Sequence, residues 1–166
     1  MENNIVISGA TIWRKNFSGK EDQYNAEGNR NFRVTIDEDT AKDLIRDGWN
    51  VKSFSPKDTP DETVHYIQAT VSYKNIPPKI WLISGGRKQL LDETTVGLLD
   101  WLDIDNVDLI IRPYRWTMGG KNGIKAYVKT MYVTAQEDEF AEKYKDIPDA
   151  ESAYPGEDEE EELPFL

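Results

Sequence analysis

Two runs late in the chain constrain the fold most. Val107–Trp116 and Ile124–Thr134 alternate apolar and polar side chains, and the connection between them contains Met118-Gly119-Gly120-Lys121-Asn122-Gly123. A period of two sends successive side chains to opposite faces of a strand. Glycines and an Asn-Gly pair supply the positive φ that a tight reversal requires. The two runs therefore predict an antiparallel hairpin. A hairpin is marginal alone, so its apolar face must pack against further strands.

Those strands are legible upstream. Ile5–Arg14 alternates, with Gly9 marking a bend or bulge, and Arg30–Ile36 sets Phe32, Val34 and Ile36 against Asn31, Arg33 and Thr35. Val64–Tyr73 and the short run Ile80–Ile83, separated by Pro77-Pro78, are expected to pair as a second hairpin. Residues 15–29 read as a long mobile loop, residues 49–54 as extended, and residues 55–62 as a turn-rich loop. Asp37–Asp47 is the clearest helix: Thr40 and Asp43 have capping-box spacing, Ala41, Leu44 and Ile45 form an apolar stripe, and Gly48 suits its C-terminal end. A second short helix is expected at Asp92–Trp101, weakened by Gly97. Trp49 and Trp101, beside these helices, are assigned to the core. Six or seven strands with one or two helices indicate a mainly β fold, a small barrel or sandwich.

Length and composition set the remaining bounds. The 166 residues suit one domain with a tail, divided here as 1–145 and 146–166. The absence of cysteine excludes disulfides, thiolate zinc sites and Cys nucleophiles, and the single His65 cannot build a His-based metal cluster. Asp103 opens no EF-hand loop, because Asp108 falls where Gly is required and Tyr114 where Glu is required. Ser84-Gly85-Gly86-Arg87-Lys88 lacks the ending of a phosphate-binding loop. No cofactor is implied, and a nuclease or other enzyme finds no catalytic constellation. Without a signal peptide or a membrane-length apolar run, the chain is expected to be soluble and cytoplasmic.

The net charge of −11 is unevenly placed. Residues 1–134 carry 18 Lys and Arg against 18 Asp and Glu, whereas residues 135–166 carry 2 against 13. The acidity belongs to the tail, and a neutral body is free to hold a basic groove. From residue 146 onward, Pro, Gly and acid predict a tail without fixed structure.

Single-strand nucleic-acid binders need cations along the phosphates and rings on which bases stack, each stack contributing about 1–3 kcal/mol. Both types interleave in this sequence. Trp13, Arg14, Lys15 and Phe17 cluster at the end of the first strand, and Arg30 and Arg33 lie on the second. Tyr73, Lys74 and Trp81 fall together, followed by Arg87 and Lys88. On the late hairpin, Arg112, Tyr114 and Trp116 share a face by alternation, as do Lys125, Tyr127 and Lys129 on the return, with Arg115 and Lys121 nearby. Trp13, Phe17, Tyr114 and Trp116 are the chosen stacking platforms. Core packing is the competing role for every ring, and cross-strand ion pairing for every hairpin cation.

The terminus carries a different signal. Six acids from Glu157, including Glu160, Glu161 and Glu162, run into Leu163-Pro164-Phe165-Leu166. Solubility alone gives no reason to end on exposed apolar residues, so a partner pocket that accepts Phe165, ringed by cations, is expected. This resembles the acidic tail of bacterial single-stranded DNA-binding proteins, which ends in Pro-Phe; the additional Leu166 departs from that pattern. The body is similar to a family of bacteriophage single-stranded DNA-binding proteins over residues 9–145. The resemblance rests on Trp13-Arg14-Lys15-Asn16-Phe17-Ser18-Gly19, Gly28-Asn29-Arg30-Asn31-Phe32, Asp47-Gly48-Trp49-Asn50-Val51-Lys52, Val107-Asp108-Leu109-Ile110-Ile111-Arg112-Pro113-Tyr114 and Gly123-Ile124-Lys125-Ala126-Tyr127. It implies an OB-fold barrel that binds ssDNA without sequence preference or catalysis, in phage replication, recombination and repair. It also implies recruitment of replication and recombination proteins through the tail. Homo-oligomerisation is left open. The alternative is a non-enzymatic protein-interaction module of a phage, structural or directed at the host, whose rings form a protein interface.

Overall fold

The computed structural model describes residues 3–74, 76–136 and Ile147. Among the described residues there are nine strands: β1 Ile5–Ile7, β2 Ile12–Asn16, β3 Arg30–Ile36, β4 Lys52–Phe54, β5 Val64–Val71, β6 Lys79–Ser84, β7 Arg87–Leu91, β8 Ile104–Met118 and β9 Lys121–Ala135. Helix α1 spans Glu38–Arg46, and a 3-10 turn spans Val96–Asp100.

The late hairpin forms as its alternation requires. β8 and β9 pair antiparallel from Ile104↔Ala135 to Met118↔Lys121. Gly119 and Gly120, at φ 59° and 80°, make the reversal, and Asn122-Gly123 lies inside β9. A register shift between Ile110 and Ile111 leaves Lys129 without a register partner on β8.

Instead of one first strand, there are two. Gly9, at φ 63°, turns the chain so that β1 pairs with β8 and β2 with β3. The Ala10 amide donates to the Val107 carbonyl at 2.7 Å, and the Thr35 amide donates to the Thr11 carbonyl at 3.0 Å. The sheet order β1-β8-β9-β5-β3-β2, with β5 parallel to β9, thus has one bent segment at both ends. The fold is mainly β, as expected; off this path, β4 pairs with β5, and β6 with β7 and β9.

The expected pairing of Val64–Tyr73 with Ile80–Ile83 does not form. β5 and β6 both run parallel to β9, β5 at Ala69↔Ala126 and β6 from Lys79↔Thr130 to Ile83↔Thr134, so they cannot be antiparallel partners. β6 instead makes a hairpin with β7, reversing at Gly85 and Gly86, at φ 58° and 76°.

Helix α1 is capped one turn earlier than expected: the Asp37 carboxylate accepts the Thr40 amide at 2.7 Å, which holds Asp37 below the usual carboxylate range. Ala41 and Leu44 are buried, but Ile45 is exposed. The second helix contracts to the 3-10 turn, where Gly97 lies so close to Ser18 that a Cβ would meet that side chain's Cβ at 3.1 Å.

The core is filled by Phe32, Val34, Ile67, Ile80, Leu99, Ile111 and Met131 among others, and Trp49 joins it as expected. Two ring assignments are reversed. Phe17, chosen as a platform, is fully buried and stacked on Phe32 at 5.2 Å. Trp101, assigned to the core, is 77% exposed. Residues 17–29 are tied down rather than open: the Gly28 amide donates to the Gly19 carbonyl, and the Asn25 amide group donates to the carbonyls of Lys20, Ala26 and Asn29. Glu137–Lys145, whose sequence suggests a helical turn or two, the boundary at 145 and, apart from Ile147, the tail lie outside the described residues.

Candidate nucleic-acid interface

Burial of Phe32, Val34 and Ile36 on β3 forces Asn31, Arg33 and Thr35 outward. Directly paired residues share a face, so the outward surface can be followed across the sheet. Arg33 stands opposite Trp13 on β2 and Gln68 on β5; Asn31 stands opposite Thr70. Thr70 neighbours Tyr127 on β9. Tyr127 is opposite Arg112 on β8, Lys125 opposite Tyr114, and Gly123 opposite Trp116. Four strand spacings make this surface about 19 Å wide.

Its chemistry is cationic and aromatic. The Arg112 guanidinium lies 5.1 Å from the Tyr127 ring centre, the Lys125 ammonium 5.4 Å from it, and Tyr114 meets the same ring edge-on at 5.9 Å. Tyr114 is 52% exposed and Trp116 38%. The Trp116 indole lies across Gly123, where a Cβ would come within 2.8 Å of its Cζ2. At the other margin, Arg33 sits over both Trp13 (5.2 Å) and Tyr66 (4.9 Å), Trp13 packs edge-on against Phe54 and Tyr66, and its indole N–H donates to the Thr35 hydroxyl. Between the margins, Gln68 and Thr70 supply a low polar floor shared by the depressions on either side.

The sequence-derived residues divide accordingly. Trp13, Arg33, Arg112, Tyr114, Trp116, Lys125 and Tyr127 meet on this face. Arg14, exposed, and Lys15, whose ammonium donates to the Leu102 carbonyl, lie at the β2 margin. Arg30 has the inward parity of β3 and reaches Glu93 at 3.7 Å beside Tyr73, in a depression that Lys74 also lines. Burial pushes the Tyr73 hydroxyl up to about 12, so it stays protonated. Lys121 sits at the hairpin tip, and Arg115 has the opposite parity to Tyr114, across from Ile124.

Trp81, Arg87 and Lys88 are not brought to this face. Trp81 stacks on Tyr132 at 6.3 Å with Lys88 4.5 Å above its ring. Tyr132 lies five residues beyond Tyr127, about 16 Å along β9. Sequence reading missed Gln68 and Thr70, which carry no charge or ring. It also missed Trp101 with Lys20, 5.4 Å from the indole centre; Lys20 sits only four residues past Asn16, in the segment read as a mobile loop.

Among the described residues no group of His, Cys, Asp or Glu could hold a metal ion, and no helix is long and apolar enough to cross a membrane. A mainly β sheet that gathers cations and rings on one outward face has the chemistry that single-strand binding requires. The chain is a member of the family described as "Putative phage ssDNA-binding domain", whose model matches residues 1–163. Solved structures share the fold. The C-terminally truncated single-stranded DNA-binding protein from bacteriophage Enc34 is 12% identical at a TM-score of 0.53, covering 81% of this chain and 87% of that one. The same phage's protein in complex with ssDNA is 13% identical at a TM-score of 0.51, covering 81% and 88%. No curated protein matches the chain.

Proposed function

We propose that this protein binds single-stranded DNA across the outward face of β2, β3, β5, β9 and β8 without reading base sequence. The observation that carries the reading is the joining of Tyr127, Arg112, Lys125 and Tyr114 on β8 and β9 to Arg33 on β3 through the uncharged floor of Gln68 and Thr70. Rings offer faces to any base, and the cations meet phosphates, so affinity needs no base-edge contacts. The family, and the ssDNA complex of the Enc34 relative, support the same ligand. The domain does no chemistry on the strand: it covers exposed DNA in the cytoplasm of the phage's host, during replication, recombination and repair. The terminal residues 157–166 serve a separate purpose, in which acids steer encounter and Phe165 anchors a replication or recombination protein.

Titration of oligo-dT against intrinsic tryptophan fluorescence at two salt concentrations tests this reading. Quenching that weakens steeply with salt is expected, because phosphate neutralisation releases counterions. Absence of quenching and binding at low salt would overturn it.

A further inference from the structure

The depression at the β2 margin is more than the edge of the face. It has a volume of ≈ 650 Å³, and its lining includes Arg14, Lys20, Tyr24, Arg33, Gln68 and Trp101. Arg33 and Gln68 belong to the main face, so the two surfaces are continuous. We propose that this depression is a nucleotide subsite, with Trp101 stacking the base and Arg14 and Lys20 meeting its phosphates. The inference rests on the reading that the outward face binds ssDNA.

Three observations carry it. First, Trp101 is 77% exposed although its neighbours Val96 and Leu99 are completely buried. The 3-10 turn therefore fixes the backbone of a large ring whose face is open, the presentation that base stacking requires. Second, Lys20 stands 5.4 Å from that ring, so an aromatic face and a cation are presented together.

Third, both groups are preorganised by the same loop. Asp100 accepts the Phe17 amide at 2.7 Å, the Ser18 amide at 3.0 Å and the Ser18 hydroxyl at 2.7 Å, fastening the loop to the residue before Trp101. Asn16 then exchanges two hydrogen bonds with the Lys20 backbone, at 2.8 and 2.9 Å. The carboxylates nearby are already engaged: Asp100 in the clamp, and Asp22 in accepting the Tyr24 amide. Both carboxylates keep their charge, but Arg14, Lys15, Lys20 and Arg33 set four cations against these two in the lining.

The subsite lies at one end of the path, so its occupancy depends on strand length. The test measures the affinity of the full chain for oligo-dT from about 4 to about 16 nucleotides, the span of OB-fold site sizes, for wild type, Trp101→Ala, Trp101→Phe and Tyr127→Ala. Trp101→Ala is expected to weaken the longer oligonucleotides by about five- to hundred-fold, the value of one stack, and to leave the shortest unchanged. Trp101→Phe should recover most of the loss. Asp100→Asn, which weakens the clamp but keeps its shape, should give a smaller loss with the same length dependence, marking Asp100 as a positioning residue. Unchanged binding of Trp101→Ala at every length, beside weakened binding by Tyr127→Ala, would overturn the subsite and leave the main face standing. A loss equal at all lengths would overturn it too, by pointing to a general structural effect. Unchanged binding of Tyr127→Ala would remove the main face, and the subsite with it.

Discussion

Gly123→Ala should separate strand binding from stability. Gly123 lies in β9 opposite Trp116, and a Cβ there would stand 2.8, 3.0 and 3.1 Å from Cζ2, Cε2 and Nε1 of the indole. Carbon atoms reach optimal contact near 3.5 Å, so the ring must retreat by about 0.7 Å or more. Trp116 is 38% exposed at a hairpin end, so it can swing outward without disturbing the core. Gly123 is not among the positive-φ glycines, and alanine there also restricts the unfolded chain, a gain of about 0.4–1 kcal/mol that offsets lost ring packing. The denaturation midpoint should therefore hardly move. Affinity for oligo-dT should fall by about three- to thirty-fold, part of one stacking interaction, with Trp116→Ala setting the ceiling. Urea denaturation and fluorescence titration on the same preparations provide the comparison. If Trp116→Ala loses affinity but Gly123→Ala does not, fixed placement of the indole has no role; if neither loses affinity, Trp116 is no platform.

Phe17→Ala should destabilise the fold by about 3–5 kcal/mol, read by urea denaturation, because it empties a completely buried site against Phe32; Phe17→Leu should fold and bind ssDNA normally. Lys125→Ala should make the slope of log K against log salt shallower by about 0.7, the share of one phosphate contact on a single strand, as measured by binding isotherms across a salt series. Trp81→Ala and Lys88→Ala should leave that slope and the affinity as in wild type, since their cluster lies away from the face. Asp37→Ala should lower the melting midpoint by a few degrees at neutral pH without changing DNA affinity. The folded-state pKa of Asp37 is depressed, so its stabilisation is present above the unfolded value of 3.8 and lost as pH falls through the lower folded value; the mutant and wild-type melting curves should therefore converge under strong acid.

The β8–β9 hairpin, β3 and α1 were legible because each is specified locally: alternation, paired glycines, and an apolar stripe ending at Gly48. Alternation also grouped Arg112, Tyr114 and Trp116 with Lys125 and Tyr127, because antiparallel pairing keeps parity across the turn. The errors arose where tertiary context decides. The Asp100 carboxylate fastens the loop to the 3-10 turn across 82 and 83 residues of chain, with Phe17 buried and Trp101 exposed, and alternation within either segment does not record so distant a contact. The placement of Trp81 likewise depends on β6 joining β9 beyond the point where β5 leaves it. Gln68 and Thr70 became visible only through their register with Arg33, Asn31 and Tyr127.

Amide NMR of the full chain during addition of oligo-dT locates the strand most directly. Shifts should concentrate at Asn31, Arg33, Gln68, Thr70, Lys125 and Tyr127, with the β6–β7 hairpin quiet. Shifts confined to Trp81, Lys88 and Tyr132, or no shifts at all under saturating DNA, would contradict the proposed binding face.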